Sequence, residues 1–300
     1  MSVAGALCSP IVIADHDAPV RAVSFGEGRL MATCDVQRTV KVWRDGERLW
    51  SRNFRHVSDR YRAMDSVRAI LFSPCGELLF AASGESVYAL DSSTGEVAWR
   101  FDCPPHLVFM VTAPQTLAVS RLGYVAAAMG DGSIGLWTFA GEQTALWFEN
   151  DAPRYIGFMP DGRRLAGTDG FAVSTWDVVT QERLSRLELD GRVFGFVTSP
   201  LDPVIATRTL RNVTVYSPDI ELIVSRFKVD PGLPAMAFDP TRPRLVVSDQ
   251  RSVSVRSYEG ERLWHAKSPD GPILCCAIDA NGMPVVGCGD GNVYRWSLMV

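Results

Sequence analysis

Apolar and polar positions alternate along the chain in short runs, and one such run returns seven times at nearly even spacing. Every copy is five residues long and has Val or Ile at its second position. The copies are Thr39–Trp43, Ser86–Leu90, Ser133–Trp137, Ala172–Trp176, Asn212–Tyr216, Ser252–Arg256 and Asn292–Trp296. Their last residues lie 47, 47, 39, 40, 40 and 40 positions apart. A β-type run that repeats with a period near 40 predicts an array of structural repeats.

The first repeat contains four runs of this kind, at Val20–Phe25, Leu30–Cys34, Thr39–Trp43 and Glu47–Trp50. β-branched and aromatic runs at this spacing predict antiparallel strands that are joined as hairpins. The same order continues through the sixth repeat, whose outer strand is predicted at Glu261–Trp264. Asp-Gly pairs recur between the runs and favour tight hairpin turns, because they adopt positive φ at little cost. We find no amphipathic helix pattern and expect an all-β fold.

The seventh repeat has only three runs, Ile273–Ile278, Val285–Cys288 and Asn292–Trp296. The N-terminal part of the chain holds an apolar run with no other assignment, Ile11–Ala14. If this strand completes the last sheet, the ring closes and no sheet edge is left open there. The sequence therefore predicts one domain over residues 1–300, a seven-bladed β-propeller of four-stranded antiparallel blades.

The repeat length and the third strand that ends in Trp resemble the WD-repeat propellers, and Trp176-Asp177 is a true Trp-Asp pair. The resemblance covers the whole chain but is degenerate. The Gly-His pair that the family places before the inner strand is absent, and Asp15-His16 comes nearest to it. The buried Asp-His-Ser/Thr-Trp hydrogen-bond network of that family is therefore not carried over, and we expect some blades to be held mainly by apolar packing between sheets.

A second resemblance concerns the outer strands. The segment Ser86–Phe101 resembles the repeat of quinoprotein-type propellers, in which a Trp of the outer strand docks between blades. Gly46–Trp50 and Gly260–Trp264 are similar to it, and Trp147 fits the same arrangement. We interpret these Trp residues as packing between blades, since a Trp side chain buries a large apolar area.

Composition and charge argue against several classes of function. The net charge is −4, with 34 acidic and 30 basic residues, which argues against a nucleic-acid-binding surface. No run of 18 apolar residues predicts a membrane span, and Met1–Pro10 lacks the basic region of a signal peptide. The seven Cys are scattered and odd in number, so we expect reduced, mostly buried thiols. We therefore expect a cytoplasmic protein.

Signals for catalysis are weak. The chain contains no G-x-S-x-G, H-E-x-x-H, P-loop or dinucleotide-binding glycine pattern. A zinc site would need clustered Cys and His, and the nearest approach, Cys103 with His106, is a single pair. We expect no catalytic residues, no metal and no cofactor.

Two connections between blades are longer than the others, Ser51–Ser66 and Asp102–Gln115. In a propeller, all connections from an outer strand to the next inner strand emerge on one face. Because these two follow consecutive blades, we expect them to lie side by side. The first carries Arg52, Arg55, His56, Arg60, Tyr61 and Arg62, and the second carries Leu107, Val108, Phe109 and Met110.

Two interpretations of these insertions stay open. In one, the arginines are solvated and the apolar tip folds onto the ring. In the other, they form a docking patch with an apolar anchor and an arginine rim, suited to an acidic or phosphorylated segment of a protein partner. We predict a non-catalytic interaction scaffold or adaptor, a subunit of a larger complex. The alternative is a small-molecule sensor or enzyme that uses the central channel of a quinoprotein-like propeller.

Overall fold

The computed structural model describes residues 9–54, 67–83, 86–102, 117–129, 132–149, 152–217, 222–231, 235–268 and 271–297. These residues form 28 strands in seven antiparallel sheets of four. None of them lies in a helix. The prediction of a seven-bladed β-propeller with four-stranded blades is confirmed.

Blades 1 to 6 run from an inner to an outer strand in chain order. Blade 1 consists of β2 (Val20–Gly26), β3 (Leu30–Asp35), β4 (Thr39–Arg44) and β5 (Glu47–Asn53), and blade 2 of β6 (Val67–Phe72), β7 (Leu78–Ser83), β8 (Ser86–Asp91) and β9 (Val97–Asp102). Blade 3 consists of β10 (Leu117–Val119), β11 (Tyr124–Ala128), β12 (Ser133–Thr138) and β13 (Gln143–Phe148), and blade 4 of β14 (Tyr155–Phe158), β15 (Arg164–Thr168), β16 (Ala172–Asp177) and β17 (Arg183–Glu188).

The remaining blades follow the same order. Blade 5 consists of β18 (Gly195–Thr198), β19 (Ile205–Arg208), β20 (Asn212–Tyr216) and β21 (Ile223–Lys228), and blade 6 of β22 (Met236–Phe238), β23 (Arg244–Ser248), β24 (Ser252–Ser257) and β25 (Arg262–Lys267). Blade 7 consists of β26 (Ile273–Ile278), β27 (Pro284–Cys288), β28 (Asn292–Arg295) and, as its outer strand, β1 (Ile11–Asp15). The outer strand of blade 6 thus begins one residue and ends three residues later than Glu261–Trp264, because its ladder with β24 continues to Lys267.

The ring closes as the sequence predicts. β1 pairs antiparallel with β28, with Ile11 opposite Arg295 and Asp15 opposite Asn292. A backbone hydrogen bond from His16 N to Gly291 O, 2.8 Å long, continues the pairing beyond the strand. One blade is therefore built from both ends of the described chain, so the ring is fastened by backbone hydrogen bonds.

The core is divided among the seams between blades. The described residues form seven apolar clusters, and each draws its buried side chains from two neighbouring blades. Strand alternation explains this arrangement, because successive side chains of one sheet point toward opposite neighbours. Apolar packing between sheets therefore holds the ring, as the degenerate repeats predict.

Aromatic side chains of the outer strands add to these seams. Trp50 Nε1 donates to Ser92 O of the next blade at 2.9 Å, and Trp99 Nε1 donates to Phe139 O at 2.8 Å. Trp50 lies against Gly95, where a Cβ atom would come within 2.7 Å of the indole ring. The predicted packing of Trp residues between blades is confirmed.

The two faces of the ring differ in their connections. We call the face with the blade-to-blade connections and the second-to-third-strand hairpins the loop face. The opposite turn face carries the other two hairpins of each blade. On the turn face, neighbouring blades are tied by side-chain hydrogen bonds to backbone, such as Ser120 Oγ to Gly162 O at 2.6 Å and Arg244 Nη2 to Gly282 O at 2.8 Å.

Candidate functional site

The predicted docking patch lies almost entirely outside the described residues. This applies to Arg55, His56, Arg60, Tyr61, Arg62, Leu107, Val108, Phe109 and Met110. The remaining member, Arg52, is exposed on β5, where its Nη1 donates to Gly95 O of blade 2 at 2.8 Å. Its guanidinium also lies 5.7 Å from the centre of the buried Phe54 ring. Arg52 therefore contributes to the seam between blades 1 and 2, and the docking role of the patch stays a prediction.

The described part of the loop face presents an exposed aromatic residue in blade 4. Asp169-Gly170 forms the hairpin turn between β15 and β16, and Gly170 has a φ of 102°. Asp169 Oδ1 accepts hydrogen bonds from the amides of Phe171 at 2.6 Å and Ala172 at 2.7 Å. This turn fixes the backbone of Phe171, whose side chain is 53% exposed.

An arginine from the next connection stacks on this ring. Arg192 Cζ lies 6.0 Å from the ring centre of Phe171 and 5.3 Å from that of Phe194. The connection is anchored on both sides, because Val193 N donates to Gly170 O at 2.7 Å and Tyr155 Oη donates to Phe194 O at 2.6 Å. We call Phe171, Arg192 and Phe194 the Phe-Arg-Phe patch. It combines an exposed aromatic ring with arginine on a fixed backbone, which is the composition of interface hot spots.

A second feature is a groove of about 550 Å³ between blades 5 and 6. Its walls come from β24 and β25 of blade 6 and from the end of β21 with the connection that follows it. On β24 the row that faces blade 5 is Ser252, Ser254 and Arg256. We call this cavity the blade 5–6 groove.

The groove is open because Arg256 stands where the other blades place a large apolar side chain. The equivalent residues are Trp43, Leu90, Trp137, Trp176, Tyr216 and Trp296, and all are buried. Arg256 is only partly buried and stacks on Phe227 of blade 5, with its Cζ 4.6 Å from the ring centre. The two serines are too small to fill the space that remains.

The groove carries an excess of positive charge. Its basic residues are Arg211, Lys228, Arg256 and Arg262, and its acidic residues are Asp230 and Asp249. Asp249 is engaged in its own turn, where it accepts bonds from Arg251 N at 2.8 Å and Ser252 N at 2.6 Å. Within the described part of the chain, no ion pair within 4.0 Å joins any of the four basic residues to a carboxylate. Burial, and then the like charge of Arg262, lower the pKa of Arg256.

A buried arginine lies behind the wall of this groove. Arg208 is 0% exposed, and its Nη1 and Nη2 donate to the carbonyl oxygens of Ser248 and Asp230, the second at 3.3 Å. Both acceptors belong to residues that line the groove. Its Nε has no hydrogen-bond partner among the described residues. Burial lowers the pKa of Arg208, because the charged form loses hydration there.

Two further arginines lie on the inner strands. Arg21 on β2 and Arg68 on β6 occupy the extra residue of a β-bulge in neighbouring blades. Arg68 is buried, and burial together with the positive charge of Arg21 lowers its pKa to about 10.

Blade 1 contains a buried polar network that the sequence analysis did not expect. Trp43 Nε1 donates to Thr33 Oγ1 at 3.1 Å, His16 Nε2 lies 2.7 Å from the same oxygen, and His16 Nδ1 donates to Asp35 Oδ2 at 2.9 Å. The expectation that the Asp-His-Ser/Thr-Trp network is not carried over is therefore wrong for blade 1. Ring closure explains the error, because pairing of β1 with β28 places His16 above the second strand of blade 1 although Asp15 replaces the expected glycine.

Thr33, His16 and Asp35 of this network bring a hydroxyl, an imidazole and a carboxylate together in the order found in nucleophilic triads. Their environment does not support catalysis. Thr33 is 0% exposed and its oxygen already accepts a bond from Trp43, so a substrate cannot reach it. Burial alone would raise the pKa of Asp35, but bonds from His16 and the amides of Thr39 and Gln37 outweigh it and hold that pKa below its ordinary value. The network is structural.

Thiols and metal ligands add no further site in the described part. The five described cysteines are free, and Cys34, Cys276 and Cys288 are buried as predicted for most of the thiols, whereas Cys75 is exposed. Burial, and then the charge of Asp35, raise the pKa of Cys34 to about 12, so its thiol is not ionised at neutral pH. No group of three or more His, Cys, Asp or Glu side chains that could hold a metal occurs within the described ranges.

No protein-family model matches the chain, and no curated protein matches it in sequence. The resemblances to WD-repeat and quinoprotein-type propellers therefore stay predictions, while the propeller architecture is a finding of the structure. In the part of the chain that the structure describes, there is no helix of the length and hydrophobicity that crossing a membrane requires.

Sequence reasoning did not identify the residues of either new feature as candidates. Phe171 directly follows an Asp-Gly turn, so an exposed aromatic residue at a hairpin tip was the available signal. Arg256 ends one of the seven repeated runs, and an arginine at a position that otherwise holds large apolar residues was the signal for the groove.

Proposed function

We propose that the protein is a non-catalytic interaction scaffold, a subunit of a larger complex, that docks a protein partner on its loop face. The observation that carries the proposal is the Phe-Arg-Phe patch. Phe171 is 53% exposed although its backbone and its arginine neighbour are fixed. An apolar ring held in this way loses little conformational entropy on binding, and aromatic residues and arginine are enriched at interface centres.

The partner has an apolar or acidic side chain for this patch. The exposed guanidinium of Arg192 can accept a carboxylate or a phosphorylated side chain in a bidentate bond while it stays stacked on Phe194. β5 and β9, the strands that precede the two long insertions, both end on the loop face. The buried, structural state of the His16 network supports a role without catalysis.

The test is affinity purification from the native source with the wild-type protein and with a Phe171→Ala, Arg192→Ala double variant. We expect a partner, identified by mass spectrometry, to be retained by the wild type and lost by the variant. Val179→Ala is the matched control, because Val179 is 65% exposed on the turn face of the same blade. All variants should keep the wild-type thermal midpoint, since the changed side chains are exposed.

A partner retained equally by all three proteins would refute docking at the patch. In that case a triple variant of the first insertion, with Arg55, Arg60 and Arg62 changed to Glu, tests the rest of the loop face. If no partner is retained by any protein, the scaffold proposal fails. The central channel, the other use predicted from the sequence, then becomes the better candidate.

A further inference from the structure

We propose that the blade 5–6 groove binds a small phosphate-bearing ligand. This binding function is separate from the docking role of the loop face. The groove joins a cavity of about 550 Å³ to four basic side chains, which outnumber the two acidic residues of the lining, Asp230 and Asp249, and form no ion pair with a described carboxylate. Cavities of this size hold small molecules. Arginine matches phosphate oxygens in bidentate geometry, and lysine adds a point charge.

The arrangement of the positive charges favours an anion between them. Arg256 and Arg262 lie opposite each other on β24 and β25, so their like charges repel. Arg211 and Lys228 approach from blade 5 on the other wall. A phosphate group in the groove would offset this repulsion, while the hydroxyls of Ser252 and Ser254 supply additional hydrogen-bond donors on the same wall.

Arg208 strengthens the inference. It is fully buried, its charge has no ion-pair partner within the described residues, and its bonds go to carbonyl groups of the groove wall. Burial disfavours its charged form, the negative charge of Asp249 on the groove wall offsets this only in part, and an anion in the groove would stabilise it further across the wall. Its positive field also points to an anionic ligand and not to a cation.

The position of Arg256 argues that the positive charge of the groove is more than incidental surface charge. All six equivalent residues in the other blades are buried and apolar or aromatic, so this one exception opens the seam. The apolar cluster between blades 5 and 6 includes Val215, Phe238 and Leu245, and it closes the seam below the groove. The cavity therefore has a floor and two polar walls.

The experiment is isothermal titration calorimetry of the full chain with pyrophosphate and with ADP, at low salt and again at physiological salt. Arg262→Gln is the groove variant. Arg48→Gln is its matched control, because Arg48 stands opposite Trp43 in blade 1 as Arg262 stands opposite Arg256 in blade 6. Both arginines are exposed, so both variants should fold. Arg256→Trp introduces the side chain that four of the other six blades have at this position and should close the groove.

We expect saturable binding to the wild type and to Arg48→Gln, about tenfold weaker binding to Arg262→Gln, and none to Arg256→Trp. Tighter binding of ADP than of pyrophosphate would identify a nucleotide as the ligand class, and equal binding would identify the phosphate groups as the part recognised. Absence of saturable binding to the wild type overturns the proposal. An equal loss in Arg48→Gln and Arg262→Gln overturns it as well, because binding would then follow total charge. No variant is shared with the partner test, so either proposal can fail alone.

Discussion

Blade 1 and blade 6 contain the same strand pairing but fill it differently. In blade 1, Trp43 stands opposite Arg48, is 7% exposed, and ends a buried network through Thr33 and His16. In blade 6, Arg256 stands opposite Arg262 and leaves a groove toward blade 5. One position of the repeat is thus a packing and hydrogen-bonding centre in one blade and the wall of a cavity in another.

The difference shows which part of a blade the ring requires. The seam between blades 5 and 6 still has an apolar cluster, formed by Val215, Met236, Phe238 and Leu245 among others. It lacks only the large apolar side chain at the end of the third strand. The remaining cluster keeps the ring intact, so the outer half of a seam is free to change and a binding site can arise there without a change of fold.

The largest expected effect on stability comes from placing the arginine of blade 6 at the equivalent position of blade 1. Trp43→Arg would insert a charged side chain among Val20, Val285 and Val293 at the closing seam and would remove the bond to Thr33. We expect a loss of about 4 kcal/mol in the free energy of unfolding. Denaturant unfolding measures it, with Arg48→Gln as the control. A loss below about 1 kcal/mol would mean that blade 1 tolerates an open seam as blade 6 does.

The repeat pattern was sufficient to predict the architecture. Seven runs with the same apolar pattern predict seven sheets. The last repeat lacks one strand and Ile11–Ala14 is a strand without a sheet, so the two together predict how the ring closes. The network of His16 was not predicted, because the expected motif includes a glycine before the histidine and here Asp15 takes that place. Backbone pairing across the closure positions His16, and that pairing is a tertiary contact between distant parts of the chain.

The candidate sites depend on tertiary structure in the same way. The sequence places an arginine at position 256, but whether a neighbouring blade fills the space beside it depends on side chains distant in sequence, such as Phe227, 29 residues earlier. Phe171 and Arg192 are 21 residues apart in the sequence and come together only because β16 and β17 return the chain to the loop face. The long insertions, in contrast, could be identified from the sequence, because their length alone distinguishes them from the other connections.

An intermediate effect on stability is expected when the histidine at the centre of the blade 1 network is removed. His16→Ala leaves Thr33 and Asp35 without their buried partner, which should lower the free energy of unfolding by about 3 kcal/mol. His265→Ala is the control, because His265 is exposed on β25. Thermal and denaturant unfolding should agree on the difference. Equal effects of the two substitutions would show that the network does not stabilise the ring.

The pH dependence of this variant gives an independent readout. The pKa of Asp35 is held low in the folded protein, so its contribution to stability is present above about pH 4, the ordinary range of Asp, and is lost as the pH falls through the lowered value. Without His16 the pKa of Asp35 should rise. The stability difference between wild type and His16→Ala should therefore be largest at neutral pH and shrink in acid. A difference that is constant down to pH 2 would contradict this linkage.

The smallest expected effect is the reciprocal exchange in blade 6. Arg256→Trp would bury an indole in the groove against Phe227 and remove the repulsion with Arg262, at the loss of the bond from Arg256 to Gly260 O. We expect a gain of about 1 kcal/mol in the free energy of unfolding, measured by denaturant unfolding beside Arg262→Gln, which removes the repulsion without filling the space. A gain in the first variant that exceeds the gain in the second would show that the wild-type groove is retained at the expense of stability. If Arg256→Trp is destabilising, the side chains around Arg256 are already packed to suit an arginine, and the groove does not lower the stability of the wild type.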